Sequence, residues 1–315
     1  MIKNSVDYVV FVDATNCNPN GDPDNDNYSR MDIQTEKGYM SSEAIKRKIR
    51  DRAYLISKIK GNPILNYIAT DDLEYDKVYL SAKQKEAIDL ISEKVRNKEL
   101  KINSNIVLDY MCSTYYDIRT FGAVCSGFSN SSLLPEDLKK DLAYPAKKAS
   151  GIHGAVQVSY FDSLDKIFRR SDTLTRIIVE TKEEFLQKDK FSTMGNVKTI
   201  PYGLYRGEIS INKNLARITG FSEDDLQLLE DSLKTLYEGS LSSSKMGMCV
   251  RRIYRINRPE NDYTLQSKVL CELITAEKNS DVEYPRKFSD YTVRVDFDTL
   301  KNDEDYKGCE IIQIL

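Results

Sequence analysis

Residues 5–30 read SVDYVVFVDATNCNPNGDPDNDNYSR, and residues 41–59 read SSEAIKRKIRDRAYLISKI. The first half of the earlier stretch is dense in β-branched and aromatic side chains, with an apolar run from Tyr8 to Val12 that predicts a buried strand. Its second half is turn chemistry: asparagines, prolines, a glycine and the aspartates Asp22, Asp24 and Asp26. In the later stretch Ser41 or Ser42 supplies an N-cap for a helix whose Ile45, Ile49, Ala53 and Ile56 share one face. The cations Lys46, Arg47, Lys48, Arg50 and Arg52 lie mostly off that face. A strand, a long polar turn and a capped basic helix therefore open the chain.

Further along, a polar Lys/Glu-rich segment at 61–105 carries one helix near 81–99 and reads as an insertion. Strand-like runs return at DYMCSTYYDIRTFGAV (109–124) and GAVQVSYF (154–161), each with a glycine where another segment approaches closely. Between them runs a Ser/Pro/Lys connection too long for a plain loop. TLTRIIV (173–179) and VKTIPYGLY (197–205) suit the two arms of an excursion. RGEISINKNL then predicts a strand, FSEDDLQLLEDSLKTLYEG a helix capped by Ser222, and GMCVRRIYRI a basic strand. YTVRVDF and GCEIIQIL add two more strand candidates. Interleaved strands and helices favour a mixed α+β fold with large loops over a bundle or a repeat.

The chain has 315 residues, 30% of them charged, and a net charge of −3. No apolar run approaches the roughly 18 residues of a membrane span, and the start lacks the pattern of a signal peptide, so a cytoplasmic protein is expected. The six cysteines are at least thirteen residues apart, which predicts free thiols and no structural zinc. The acidic balance does not suit a generic nucleic-acid binder. Its distribution does suit a polyanion held at one surface: KRKIRDR (46–52) has five cations to one anion, and CVRRIYRINR (249–258) has four cations and no anion.

A calcium loop begun at Asp22 would need glycine at Asn27 and glutamate at Ile33, and one begun at Asn18 would need glycine at Pro23. Both fail, and turn-making is the simpler reading of the aspartates. His153, the one histidine, lacks a nucleophile elbow, a cysteine partner or an HExxH helix. YGLYRG lacks the spacing of a phosphate-cradling P-loop. The serine-capped helix start is the sharper signal. Its unpaired backbone N–H groups and positive dipole end, with a lysine one turn in, suit a phosphate.

Taken in order, NPNGDPDNDNYSRMD, SSEAIKRKIRD, DIRTFGAV, GIHGAVQ, TMGNVKTIPYGLY and ARITGFSEDDLQLLEDSL resemble the motifs of the backbone-subunit family of type I CRISPR-associated Cascade complexes, closest to types I-B and I-C. The similarity runs from about residue 5 to 258, with the insertions matching least. It implies an RNA-recognition-motif-like (ferredoxin-like) palm from 1–60, 106–123, 150–162 and 200–315, finger-like insertions at 61–105 and 124–149, and a thumb-like excursion at 163–199. It further implies a non-enzymatic subunit, without metal or cofactor, that polymerises head to tail along crRNA and meets other Cascade subunits. Target DNA is then reached through the guide, with protein reading the backbone and pairing reading sequence.

By the same resemblance, Ser41, Ser42, Lys46, Arg47 and Arg50 grip the guide backbone. Asn18, Asn20 and Arg30 lie within reach of ribose or phosphate. Arg119, Phe121, His153, Gln157, Arg251 and Arg252 are further RNA-contact candidates, some of which could equally maintain the fold. Phe185, Leu186, Phe191 and Met194 are candidates for the thumb wedge that kinks the guide. The aromatic signatures of ordinary RNA-recognition motifs are absent, so base stacking across the sheet is not expected. Two alternatives stay open: a type III-like subunit that cleaves target RNA with a metal held by Asp22, Asp24 or Asp26, and a metal-dependent metabolic enzyme.

Overall fold

The computed structural model describes residues 1–66, 80–129, 131–176, 193–238, 242, 244–260 and 265–315. The chain is a mixed α+β fold. Strand β1 (Val6–Cys17) leads into a small hairpin, β2 (Gly21–Asp22) and β3 (Tyr28–Ser29), then β4 (Lys37–Met40) and helix α1 (Ser42–Ile59). Helices α2 (Leu80–Arg96), α3 (Ile106–Thr114) and α4 (Tyr116–Phe121) follow, then β5 (Gly122–Val124), α5 (Lys139–Lys148) and β6 (Gly151–His153). Next come β7 (Val156–Val158), β8 (Phe161–Lys166), β9 (Arg170–Arg176) and the long β10 (Thr193–Ile211). Helices α6 (Lys213–Thr219) and α7 (Glu223–Lys234) precede β11 (Met248–Asn257). The chain closes with α8 (Ser267–Glu272), β12 (Ile274–Lys278), β13 (Tyr291–Val295), α9 (Phe297–Asn302) and β14 (Glu310–Gln313).

One antiparallel sheet in the order β14-β11-β1-β10-β8-β4 organises these elements, with β7 and β9 also paired to β10. Strand β1 sits inside it, and both of its faces are covered. Tyr8, Val10, Val12 and Ala14 pack with Ile45 and Ile49 of α1 and Leu226, Leu229 and Leu233 of α7. Val9 and Phe11 face the other way, against Tyr202, Leu204, Leu270, Ile274 and Tyr291. Burial on both sides explains why Tyr8 to Val12 is an unbroken apolar run rather than an alternating one. The C-terminal elements α8, β12 and β13 thus cover the sheet face opposite the helices.

A second apolar cluster joins Ile88 and Ile91 of α2, Val107 and Met111 of α3, Ile118 of α4, and Leu142 and Ala146 of α5. The run 109–124, expected as a strand, is helical except for the extended Tyr115 and β5. Its tyrosines and threonines suggested β structure, but tertiary packing of Met111, Cys112 and Ile118 among helices outweighs that propensity. Residues 106–118 accordingly pack with α2 and α5. The expected strand RGEISINKNL ends at Ile211, because Asn212 accepts from the Asn214 and Leu215 N–H groups and starts α6.

DIRTFGAV and GIHGAVQ meet through β5 and β6, where Gly122 pairs with His153. Gly122 has φ +78°, and a Cβ on Gly154 would lie 2.2 Å from the Gly122 nitrogen. Only glycine allows these backbones to touch.

Candidate nucleic-acid interface

The loop after β1 is tied to its own chain at most of its polar positions. Asn18 is buried: its side chain donates to the Asn27 carbonyl at 2.8 Å and accepts from the Ser29 hydroxyl at 3.0 Å. Lys245 donates to the carbonyls of Asn18 and Pro19, and burial lowers its pKa to about 8. Asn20 accepts from the Ser41 N–H at 2.9 Å, so the loop positions the first turn of α1. Asp22 faces Arg30 at 3.4 Å and Asp26 faces Lys198 at 2.9 Å. Lys198 also lies 4.2 Å from the Tyr28 ring centre, which docks the loop on the base of the β9–β10 hairpin. Asp26 and Asn27 adopt left-handed backbone, as turn residues of this type tolerate. Among the described residues no group of three or more metal-ligating side chains comes together.

Helix α1 starts at the edge of the sheet, directly after β4. Ser41 caps it, accepting from the Ala44 N–H at 3.3 Å. The Ser42 hydroxyl donates to Glu43 at 2.8 Å. The Glu43 backbone N–H and that hydroxyl hold the Glu43 carboxyl below its ordinary range. An anion therefore already rests on this helix start, as the dipole favours. One turn on, Lys46 is half-buried and makes no hydrogen bond or ion pair among the described residues.

The other cations of α1 are engaged. Arg47 bonds Asp51 at 2.9 Å and Arg52 donates to Thr235 at 2.8 Å. Arg50 is buried, 3.3 Å from Asp117 of α4 and 5.1 Å from the Phe121 ring centre, and burial lowers its pKa. The sequence grouped Arg50 with Lys46; the structure turns it inward, where it joins α1 to the helical unit.

The basic strand β11 is likewise committed. Arg251 is the extra residue of a β-bulge, since Phe11 pairs with Arg252 and Val12 with Val250. The bulge aims Arg251 at the buried Asp13, 2.8 Å away, whose pKa burial raises. Arg252 packs over Phe288 at 5.1 Å, Arg255 bonds Glu230 at 2.9 Å, and Arg258 lies 3.5 Å from Asp7. The four arginines of this stretch thus each have a partner within the chain, while Arg251 stays exposed.

The CRISPR-associated protein Cas7 family matches residues 4–296. The chain belongs to that family. A curated relative, the CRISPR-associated protein Cas7 of Haloferax volcanii, is 25% identical over 260 residues, covering 81% of this chain and 71% of its own length. Among solved structures, a chain of a "CRISPR RNA-guided surveillance complex, pre-nicking" aligns with TM-score 0.45 and 15% identity, covering 82% of this chain and 80% of that one. A chain of a "CRISPR RNA-guided surveillance complex" aligns with TM-score 0.40 and 13% identity, covering 82% and 72%.

The remaining candidates of this Cas7-family chain fall in three places. Arg119 makes a bidentate pair with Asp225 at 2.8–3.1 Å, and Phe121 is buried beneath Arg50. Both belong to the joint between α4, α1 and α7. His153 and Gln157 are exposed on β6 and β7, with Gln157 donating to the Gly154 carbonyl at 3.1 Å. Met194 lies in β10 opposite Thr175, while Phe185, Leu186 and Phe191 lie outside the described residues. No helix among the described residues is long and apolar enough to cross a membrane. Sequence reasoning missed Lys245, the anchor of the Asn18–Pro19 turn. A lysine in a serine-rich connection carries no signal of where it reaches.

Proposed function

We propose that this chain is the backbone subunit of a CRISPR RNA-guided surveillance complex, gripping the guide RNA by its phosphates at the start of α1. The observation that carries the reading is the capped first turn at the sheet edge with Lys46 one turn in, which makes no hydrogen bond or ion pair among the described residues, in a chain of the Cas7 family. First-turn amides and an ammonium group bind phosphate without regard to base, which is what a guide of variable sequence requires. Ser41, Ser42 and Lys46 form the grip. Asn18 and Asn20 act by holding the loop that orients it, and Arg50 and Arg119 act by holding the helices together.

In this reading the palm is RNA-recognition-motif-like, but its sheet works as a scaffold: the C-terminal elements occupy the face on which such folds stack bases. Copies assemble head to tail along crRNA beside other Cascade subunits and present the spacer to target DNA, and the β9–β10 hairpin is the base of the thumb. The subunit performs no catalysis. Asp22 and Asp26 fix the loop through Arg30 and Lys198.

The test is co-expression with the partner subunits and a CRISPR array. The expected product carries guide-length RNA, and K46A loses that RNA at lower salt than the wild type. A well-folded, RNA-free subunit under those conditions would refute the reading.

A further inference from the structure

Strand β4 is the edge of the large sheet, and its residues divide between the two faces. Met40 is buried in the cluster beneath α1, and so is Phe161 on the adjoining β8. Their chain neighbours Tyr39 and Tyr160 form a stacked pair, with ring centres 5.8 Å apart and planes inclined by 5°. Tyr39 is half-buried and Tyr160 is 52% exposed.

The pair lies beyond the cover of the C-terminal elements. Across the sheet, Tyr39 is opposite Asp162, and Asp162 is opposite Arg206. Arg206 marks the limit of the cover, donating to the Cys271 carbonyl of α8 at 2.6 Å. Lys37, at the start of β4, is exposed and has no hydrogen bond or ion pair from its side chain among the described residues. Asp162 is the acid beside the pair; the charges of Lys37 and Lys268 act on it against its burial, and Glu208 adds to the burial.

The geometry points to Tyr39 and Tyr160 as a platform on which one base of the guide strand stacks while its phosphate is held at the start of α1. This rests on the RNA-binding reading and extends it. Tyr39 precedes the Ser41 cap by two residues, about 7 Å of extended chain, a span that a nucleotide covers between its phosphate and its base. Two rings already parallel accept a third without losing rotamer freedom, and ring stacking tolerates any base because every base has a π face. Lys37 and Lys46, without a hydrogen bond or ion pair from their side chains among the described residues, flank the path with positive charge. A protein partner burying an aromatic pair would favour neutral surroundings, so the two lysines favour nucleic acid.

Fluorescence anisotropy of the full-length chain with a labelled single-stranded RNA, and with DNA of the same sequence, tests the platform. Y160A should weaken RNA binding about 5- to 160-fold, the range of one base–aromatic stack, and leave the salt slope unchanged. Y160F keeps the ring and should restore most of the affinity; equal loss in Y160F would overturn the proposal. So would Y160A binding RNA like the wild type while K46A weakens it, which leaves the phosphate grip standing. A loss confined to DNA would assign the platform to another strand, and an unchanged RNA affinity with fewer copies bound per RNA would assign it to a protein contact. Either result overturns it. Absence of RNA binding by the wild type would instead overturn the functional reading beneath it.

Discussion

Replacing Arg50 and Lys46 by alanine, one at a time, separates two residues four apart on the same helix that the sequence presents as equals. Arg50 and its partner Asp117 retain only 9% and 1% of their side-chain exposure, at 3.3 Å. Removing one member of such a buried pair costs about 3–5 kcal/mol, because the other charge stays buried. Lys83 also acts on Asp117 and the guanidinium lies over Phe121; the first softens the loss and the second adds to it. R50A is therefore expected to lose about 3–5 kcal/mol in urea unfolding. K46A removes a group that makes no hydrogen bond or ion pair among the described residues and should change stability by less than about 0.5 kcal/mol. In RNA binding the order reverses: K46A should flatten the dependence of log K on log salt by about 0.7, the single-strand value for one phosphate contact. A folded R50A that leaves the slope unchanged completes the pattern, and replacing the pair with R50M and D117L together should recover much of the lost stability. An R50A chain as stable as the wild type, with the salt slope reduced as in K46A, would refute the assignment of Arg50 to the interior.

The other predictions concern neighbouring features. E43Q removes the carboxylate resting on the start of α1, so it should tighten RNA binding several-fold while lowering helix stability by about 0.3–1 kcal/mol; paired titrations and melts measure both, and weaker RNA binding would contradict the competition. G154A would place a Cβ 2.2 Å from the Gly122 nitrogen, and its yield of folded protein should collapse, whereas G151A, with open space around its Cβ, should fold normally. Lys245 is held at about 8 by burial, below its unfolded value, so the folded chain binds this proton more weakly than the unfolded chain. Its contribution is flat below about pH 8 and rises with pH towards about 10.4; the stability difference between wild type and K245M should grow over that interval, and a shrinking difference would contradict it.

Much of the fold was legible because burial on both faces leaves a plain mark: Tyr8 to Val12 read as a buried strand, and Ser41 or Ser42 before an apolar periodicity read as the start of a helix, of which Ser41 is the cap. The site was legible as a place more than as a residue list. Arg50 follows Ile49, so it sits 100° round the helix at the margin of the apolar face, where composition does not say whether a cation turns in or out. Asn18 and Asn20 have amides equally suited to ribose and to backbone, and only the folded loop shows that they bond the chain itself. The helical run at 109–121 was hidden by its tyrosines and threonines. The stacked Tyr39 and Tyr160 are far apart in sequence, and only the β4–β8 pairing brings them together.

Amine footprinting of the assembled particle tests the grip at α1 most directly. Lys46 should resist acylation while guide RNA is bound and become reactive after nuclease treatment, with Lys301, exposed on α9, reactive in both states. A Lys46 equally reactive with and without RNA would contradict the account.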